Sequence, residues 1–196
     1  MIRPKTYRLA IGCLAVPLVS ALASPILPRP AAHAQSIDIV HLQTAGQSRG
    51  QVQDISATEI TLALRGNTQT IPVNEVRSIT FGGEPSQLRR ARDMIRGDQL
   101  QDALLALNQI DRSRVTSELV RTDLEYYTAY CQARLALSMG EELTSVSVAM
   151  FNFINDHSDS YHYFEAVETL GDLAMALGKF SGAIRYYGVL SKAPWP

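Results

Sequence analysis

The hydrophobic pattern of this chain changes its period at Gly82-Gly83-Glu84-Pro85. Before this point apolar and polar residues alternate, which is typical of strands with one buried face. After it, apolar residues recur at intervals of three and four, as they do along one face of a helix. The sequence therefore predicts an α+β protein in which a β segment precedes a helical segment.

The β segment, residues 35–83, contains five short alternating stretches: 38–42, 50–55, 59–64, 70–73 and 76–81. Glycine, serine and asparagine separate these stretches at spacings typical of hairpins. Five short strands with one apolar face are too few for a sandwich, but they can curl into a small closed sheet. We expect a five-stranded β-barrel of the SH3-like or Sm-like size, with a sharp bend at Gly50.

The helical segment, residues 86–196, is expected to break near Gly97-Asp98, Gly140 and Gly178-Lys179. Its last part matches the tetratricopeptide (TPR) pattern of a helical hairpin with small residues at fixed positions. The matching positions are Val167, Leu170-Gly171, Ala174, Ala183, Tyr187 and a closing proline at Pro194 or Pro196. We interpret Gly171 and Ala183 as packing positions, where the two helices approach closely.

Weaker copies of this pattern lie upstream, around Ala91 and Ala133. The equivalent positions Ala91, Ala133 and Gly171 are about 42 and 38 residues apart, longer than the usual repeat of roughly 34. The sequence thus predicts about three helical hairpins, with extended helices or long turns. The last apolar face lacks a polar cap, so the array is expected to be truncated or covered by something else.

The string Gly178-Lys179-Phe180-Ser181-Gly182 resembles two catalytic motifs only superficially. A phosphate-binding loop requires serine or threonine directly after its lysine, and a hydrolase elbow requires glycine two residues on either side of the serine. Neither spacing is met. We therefore expect a protein that is not an enzyme and that carries no cofactor.

Residues 1–34 have the features of a signal peptide. Arg3, Lys5 and Arg8 precede an apolar run over 9–23, and Ala32-His33-Ala34 supplies small residues for cleavage. A lipoprotein attached through Cys13 is the less favoured alternative, because too few apolar residues precede it. The sequence predicts export to the periplasm or beyond, with no transmembrane helix in the mature chain.

The mature chain would be acidic. With Arg3, Lys5, Arg8 and Arg29 removed, 14 of the 18 basic residues remain against all 19 acidic ones, a net charge of about −5. This sign disfavours a nucleic acid as partner. Cys131 would be the remaining cysteine, so no internal disulfide is expected.

The whole mature chain resembles a group of exported bacterial TPR proteins that begin with a small barrel. The resemblance rests on IPVNEVRSITFGGEP, GDQLQDALLALNQID, SYHYFEAVETLGDLAMALGKF and YYGVLSKAPWP. Members of that group look like scaffolds without known chemistry, which implies a role in binding proteins or peptides.

In TPR arrays the first helix of each hairpin lines the concave groove where ligands bind. Mapping these positions through the template predicts a groove that runs from basic, through aromatic, to acidic, and that suits a peptide. Its residues are Arg92, Arg96, Tyr127, Tyr130, Arg134, Glu165, Glu168 and Asp172, with Leu88 beside them.

Other clusters have simpler interpretations. His157, Asp159 and His162 lack the spacing of a helix-borne metal site. The arginines at 89, 90, 92 and 96 suggest a solvated helix face more than an RNA site, since the strands carry almost no aromatic residue for stacking. The preferred hypothesis is therefore an exported, non-enzymatic scaffold for a protein or peptide. The alternative is a structural protein of the cell envelope that self-associates through its C-terminal helical face.

Overall fold

A computed structural model describes residues 37–194 of the chain. The predicted signal peptide, residues 1–34, and the proline at 196 lie outside this range. Five strands come first: β1 Asp38–Leu42, β2 Gln47–Ile55, β3 Glu59–Leu64, β4 Asn67–Pro72 and β5 Val76–Thr80. Six helices follow: α1 Ser86–Arg96, α2 Leu100–Asn108, α3 Glu118–Met139, α4 Leu143–Asp156, α5 Tyr163–Ala176 and α6 Phe180–Leu190. The predicted α+β class is confirmed.

The strands form one antiparallel sheet in the order β4-β3-β2-β1-β5. All five predicted strands are present, and β2 and β4 begin earlier than their alternation indicated. Within residues 37–194, β4 and β5 are the two edges of the sheet and do not pair with each other. The predicted closure into a barrel is therefore not confirmed, since the sheet is open.

The second strand divides the sheet into two halves. Its first residues pair with β1, where Gly50 lies opposite Asp38, and its later residues pair with β3, where Gln51 lies opposite Ala63. A Cβ atom at Gly50 would lie 2.8 Å from the carbonyl oxygen of Ala63. Glycine thus permits a close backbone approach at the position where β2 changes partners.

The helices form three antiparallel hairpins, α1–α2, α3–α4 and α5–α6, and each helix packs against the next. The predicted breaks at Gly97, Gly140 and Gly178 are confirmed, and Gly140 and Gly178 both have the positive φ that favours glycine. The first helices of the hairpins are also neighbours, since α3 contacts both α1 and α5. The 22 residues of α3 contribute to the long spacing between the template positions Ala91, Ala133 and Gly171.

Buried apolar residues of the sheet and of the helices form one continuous cluster, from Val40 and Ile79 on the strands to Leu124 and Leu173 on the helices. Both segments belong to a single compact unit. Across residues 37–194, none of the helices has the length and apolar character needed to cross a membrane.

Candidate functional site

A buried ionic cluster joins the end of the sheet to the helices. The Arg92 guanidinium on α1 donates two hydrogen bonds to the Glu84 carboxylate, of 2.8 and 2.9 Å, and a third of 2.5 Å to Oδ2 of Asp123 on α3. The side chains of Arg92, Glu84 and Asp123 are 5%, 0% and 1% exposed. We call this buried ionic arrangement the Arg92 cluster.

The second oxygen of Asp123 extends the Arg92 cluster to the start of α5. Asp123 Oδ1 accepts a hydrogen bond of 2.8 Å from the Tyr161 hydroxyl and one of 3.1 Å from Nε2 of His162. The His162 ring stacks on the Tyr126 ring with centroids 3.7 Å apart. Its other nitrogen, Nδ1, lies 3.6 Å from Oε2 of Glu165. Both nitrogens of the imidazole are therefore occupied, and Tyr126 covers one of its faces.

The local sequence holds Glu84 in place. The turn after β5 contains Gly83, whose φ of 79° favours glycine, and Pro85 immediately precedes α1. Glu84 then turns back, so that its Oε2 accepts a hydrogen bond of 3.1 Å from the backbone N–H of Phe81. The Glu84 carboxylate thus closes the β5–α1 turn and pairs with Arg92 on α1.

The electrostatics of the Arg92 cluster favour the charged forms. Burial by itself raises the pKa of the Asp123 carboxyl, but Arg92 and the hydrogen bond from His162 outweigh burial and lower it. Burial likewise lowers the pKa of the His162 imidazole, but its hydrogen bonds to Asp123 and Glu165 raise it overall. A protonated His162 balances the charges, because Arg89, Arg92 and His162 then face the carboxylates of Glu84, Asp123 and Glu165.

The role of the Arg92 cluster is structural. An aspartate that orients a histidine also occurs in general-base pairs, but His162 is only 2% exposed and Asp123 only 1%. No substrate atom reaches a side chain enclosed to that degree. Networks of buried ion pairs perturb pKa values in the same way as active sites do. The Arg92 cluster therefore fixes the orientation of α1, α3 and α5 relative to the end of the sheet.

The raised pKa of His162 predicts a pH-dependent stability. The folded protein holds the His162 proton more tightly than the unfolded chain, in which histidine titrates near about pH 6.5. This contribution is complete below that pH and is lost as the pH rises through the folded pKa. Wild type should therefore be more stable than His162→Gln by an amount that shrinks as the pH rises. Denaturant titrations of both proteins between about pH 5.5 and 8.5 measure this difference in the free energy of unfolding.

The comparison of wild type with His162→Gln is needed because titration of His41 changes the stability of the fold with pH in the opposite direction. Burial lowers the pKa of His41, and Arg77, Arg96 and Arg92 lower it further, so this residue destabilises the fold as the pH falls. His41→Gln serves as the control and should change the acid side of the profile. A wild-type minus His162→Gln difference that is constant or grows with pH would contradict the prediction.

Two predicted groove residues lie in the interior, and the prediction is corrected for both. Arg92 belongs to the buried cluster, and the Tyr127 ring is 7% exposed with the Arg92 guanidinium carbon 5.4 Å from its centroid. The template placed both residues on the inner face of the array. There Glu84, Asp123 and Tyr127 surround Arg92, and Tyr127 packs against Tyr126 and His162. Neither is accessible to a ligand. Leu88 is fully buried as well.

The accessible members of the predicted groove lie on α3 and α5. Arg134, Glu165 and Glu168 are exposed, and Tyr130 is half-buried. Burial raises the pKa of the Tyr130 hydroxyl, Glu165 and Glu168 raise it further, and Arg134 opposes them, so the four side chains interact electrostatically. We call these four residues the α3–α5 strip. The structure thus brings half of the predicted set together.

The remaining two predicted residues are engaged elsewhere. Arg96 pairs with Asp93 on its own helix and faces the sheet, near His41. Asp172 accepts a hydrogen bond of 2.7 Å from the Tyr187 hydroxyl on α6. The expected gradient from basic to acidic along all three hairpins is therefore interrupted at its basic end.

The histidines considered for a metal site have separate partners. Nε2 of His157 lies 2.9 Å from a carboxylate oxygen of Glu125, whereas His162 contacts Asp123. Over the part of the chain that the structure describes, no group of three or more histidine, cysteine, aspartate or glutamate side chains has the arrangement of a metal site. Cys131 is buried, and burial raises the pKa of its thiol to about 12, which disfavours the reactive thiolate.

Sequence reasoning missed Glu84, Asp123 and Tyr161 as members of a cluster. One signal was present in the sequence. Asp123 lies on the same face of α3 as Val120, Leu124 and Tyr127, which belong to its apolar stripe. A charged residue within such a stripe needs a buried partner of opposite sign.

Comparison of the chain with protein-family models, with curated proteins and with solved structures found no match.

Proposed function

We propose that this protein is an exported, non-enzymatic scaffold that binds a protein or peptide through helical hairpins of TPR type. The observation that carries the proposal is the α3–α5 strip, where a half-buried tyrosine lies among one exposed cation and two exposed carboxylates. Tyrosine offers a large contact area at low entropic cost, and flanking charges select and orient a ligand.

The helical packing supports a TPR-type array. The helices pair as consecutive hairpins, and the first helices stack beside one another, as the concave side of such an array requires. In the last hairpin Ala183 is 1% exposed and Gly171 lies directly under the Tyr187 ring, at two of the small-residue positions of the pattern. We extend the proposal to the sheet, which we interpret as an SH3-like small barrel that is open on one side. The supporting feature is β2, which pairs with β1 in one half of the sheet and with β3 in the other.

The test uses peptides selected from a random library against the purified mature chain. Tyr130→Ala combined with Glu168→Lys should weaken binding of a selected peptide at least tenfold, equivalent to about 1.4 kcal/mol, as measured by fluorescence anisotropy. The charge reversal should weaken peptides with basic side chains most, because Glu168 supplies attraction for them. Neither substitution touches the Arg92 cluster, so the circular dichroism spectrum should not change.

The matched control is Gln132→Ala, an exposed position on the opposite side of α3 from Tyr130 and Arg134. This variant should bind the selected peptide as wild type does. If no peptide is selected, or if the selected peptides bind the double variant with unchanged affinity, the α3–α5 strip is not a recognition surface.

The second candidate function is self-association, and the surface of α6 favours it. Phe180 and Ile184, which lie one turn apart on the same face of this helix, are 60% and 71% exposed. Contiguous apolar surface on a helix is often an interface. Sedimentation over a wide concentration range separates the two candidates, because a scaffold for other proteins remains monomeric whereas an assembly protein does not.

A further inference from the structure

A groove of about 390 Å³ lies between α4, α5 and α6. Its volume is in the range of small-molecule sites, which is about 300–1,000 Å³. The residues of the α3–α5 strip do not line it, and neither do Phe180 and Ile184 on the exposed apolar face of α6. The groove is therefore separate from both surfaces described above.

Most of the surface that lines the groove is apolar. Leu170, Ala174 and Leu177 follow one another at intervals of four and three, so one face of α5 forms the floor. On α4, Val148 and Phe151 line the groove and are 55% and 46% exposed. Apolar surface is thus open to water here, and a ligand that covers it gains from the hydrophobic effect.

The charged residues of the groove are two cations. Lys179 and Arg185 line it, and the residues that the structure assigns to it include no aspartate or glutamate. Both cations are exposed, and within residues 37–194 neither side chain forms an ion pair or a hydrogen bond. Unlike the terminal nitrogens of Arg92, their donors are open to a ligand. The lining therefore carries an uncompensated positive charge.

The spacing of the two cations suits one anionic group. Six residues separate Lys179 from Arg185, which corresponds to about 9 Å along a helix axis. Gly182 lies midway between them and has no side chain, which leaves room there for a ligand. The long flexible stems of lysine and arginine reach this midpoint from both sides, and both head groups donate charge-assisted hydrogen bonds.

We propose that this groove binds a single-chain amphipathic anion, with its anionic head between Lys179 and Arg185 and its aliphatic chain along α5. The floor from Leu170 to Leu177 is about 10 Å long, at a rise of 1.5 Å per residue, and an extended alkyl chain of medium length covers it. An inorganic anion would leave the apolar floor in water, and an uncharged hydrocarbon would leave both cations without a partner. This site is independent of the proposed peptide recognition on α3 and α5.

The experiment titrates the full mature chain with octanoate, followed by calorimetry and by ¹H–¹³C spectra of the methyl groups. Octanoate should bind saturably and shift the methyl signals of Val148, Leu170 and Leu177. Butyrate should bind at least tenfold more weakly, because it lacks most of the methylene groups that contact the floor. Octanol and octyltrimethylammonium should bind at least fivefold more weakly, because neither carries a negative charge.

Two kinds of variant separate the head from the chain. Lys179→Gln combined with Arg185→Gln should weaken octanoate binding at least fivefold and leave octanol binding unchanged. Phe151→Gln should weaken binding of both probes. Lys192→Gln is the matched control for the loss of a cation, since Lys192 is exposed and does not line the groove, and this variant should bind octanoate as wild type does.

Three results would overturn the proposal: no saturable binding of octanoate at millimolar concentration, equal binding of octanol, or unchanged affinity in the variant that lacks both cations. A dimer in sedimentation that Phe151→Gln abolishes would assign the groove to a second copy of the chain and overturn it as well. The Tyr130→Ala/Glu168→Lys variant should bind octanoate as wild type does, which keeps this proposal separable from peptide recognition.

Discussion

Replacing Arg92 with methionine is expected to lower the free energy of unfolding by roughly 3–5 kcal/mol. The substitution removes the cation that both buried carboxylates share, and leaves Glu84 with Arg89 at 3.7 Å and Asp123 with His162 at 3.1 Å. Methionine fills much of the space of the arginine stem, so the loss reports the weaker charge compensation rather than a cavity. Urea denaturation at pH 7 measures it, with the midpoint read at constant slope.

Arg96→Met provides the control for this prediction. Arg96 lies one turn further along the same helix, is about half exposed and pairs only with Asp93. Surface substitutions of this kind usually change the free energy of unfolding by no more than about 0.5 kcal/mol. Equal losses in the two variants would show that Arg92 contributes as a solvated residue and that the cluster is not as enclosed as described.

A double variant separates the charge effect from the packing effect. Asp123→Asn removes one of the two stranded carboxylates, so Arg92→Met should cost less in that background than in wild type. The residual loss then belongs to Glu84. An additive result would mean that Asp123 and Arg92 do not interact, in conflict with their 2.5 Å contact.

The Arg92 cluster also decides how binding experiments are designed. Arg92 occupies a position that the TPR template assigns to the groove, and a charge reversal there would be an obvious way to test recognition. The buried ion pairs predict that such a variant unfolds and loses any partner for that reason alone. Tyr130 and Glu168 test recognition without this complication, because neither contacts the cluster.

The elements that the sequence predicted correctly are those with a local cause. Alternation over 38–42 and 59–64 gives the bounds of β1 and β3, and the helix breaks occur at glycines such as Gly140, which adopt backbone conformations that other residues avoid. Closure of the sheet was not predictable in this way. Alternation shows that one face is buried, but not which strand or helix buries it, and here the helices share the core.

The composition of the site had a non-local cause. Arg92 and Asp123 are 31 residues apart, and Tyr161 is a further 38 residues along the chain. A periodic pattern assigns a residue to a face of its own helix, but it does not show whether another helix covers that face. For this reason Arg92 is buried, whereas Tyr130, at the equivalent template position of the second hairpin, is half-buried.

Gly171→Ala is expected to destabilise the protein by about 2 kcal/mol, although alanine is the better helix former. A Cβ atom at this position of α5 would lie 2.5 Å from Cε1 of Tyr187 and 2.8 Å from Cζ. The ring would have to move, and its hydrogen bond of 2.7 Å to Asp172 would break. Overpacking typically costs about 1–3 kcal/mol and the hydrogen bond about 1, against a gain of roughly 1 from helix propensity.

The sign of this effect should reverse when the ring is absent. In a Tyr187→Ala background nothing prevents the new methyl group from fitting, so Gly171→Ala should become neutral or stabilise by up to about 1 kcal/mol. Thermal or urea denaturation of the four proteins in this cycle measures both effects. If Gly171→Ala lowers the free energy of unfolding equally in both backgrounds, the strain lies in the α5 backbone. A cost that disappears with the ring would identify the contact between Gly171 and Tyr187 as the reason for glycine in the last hairpin.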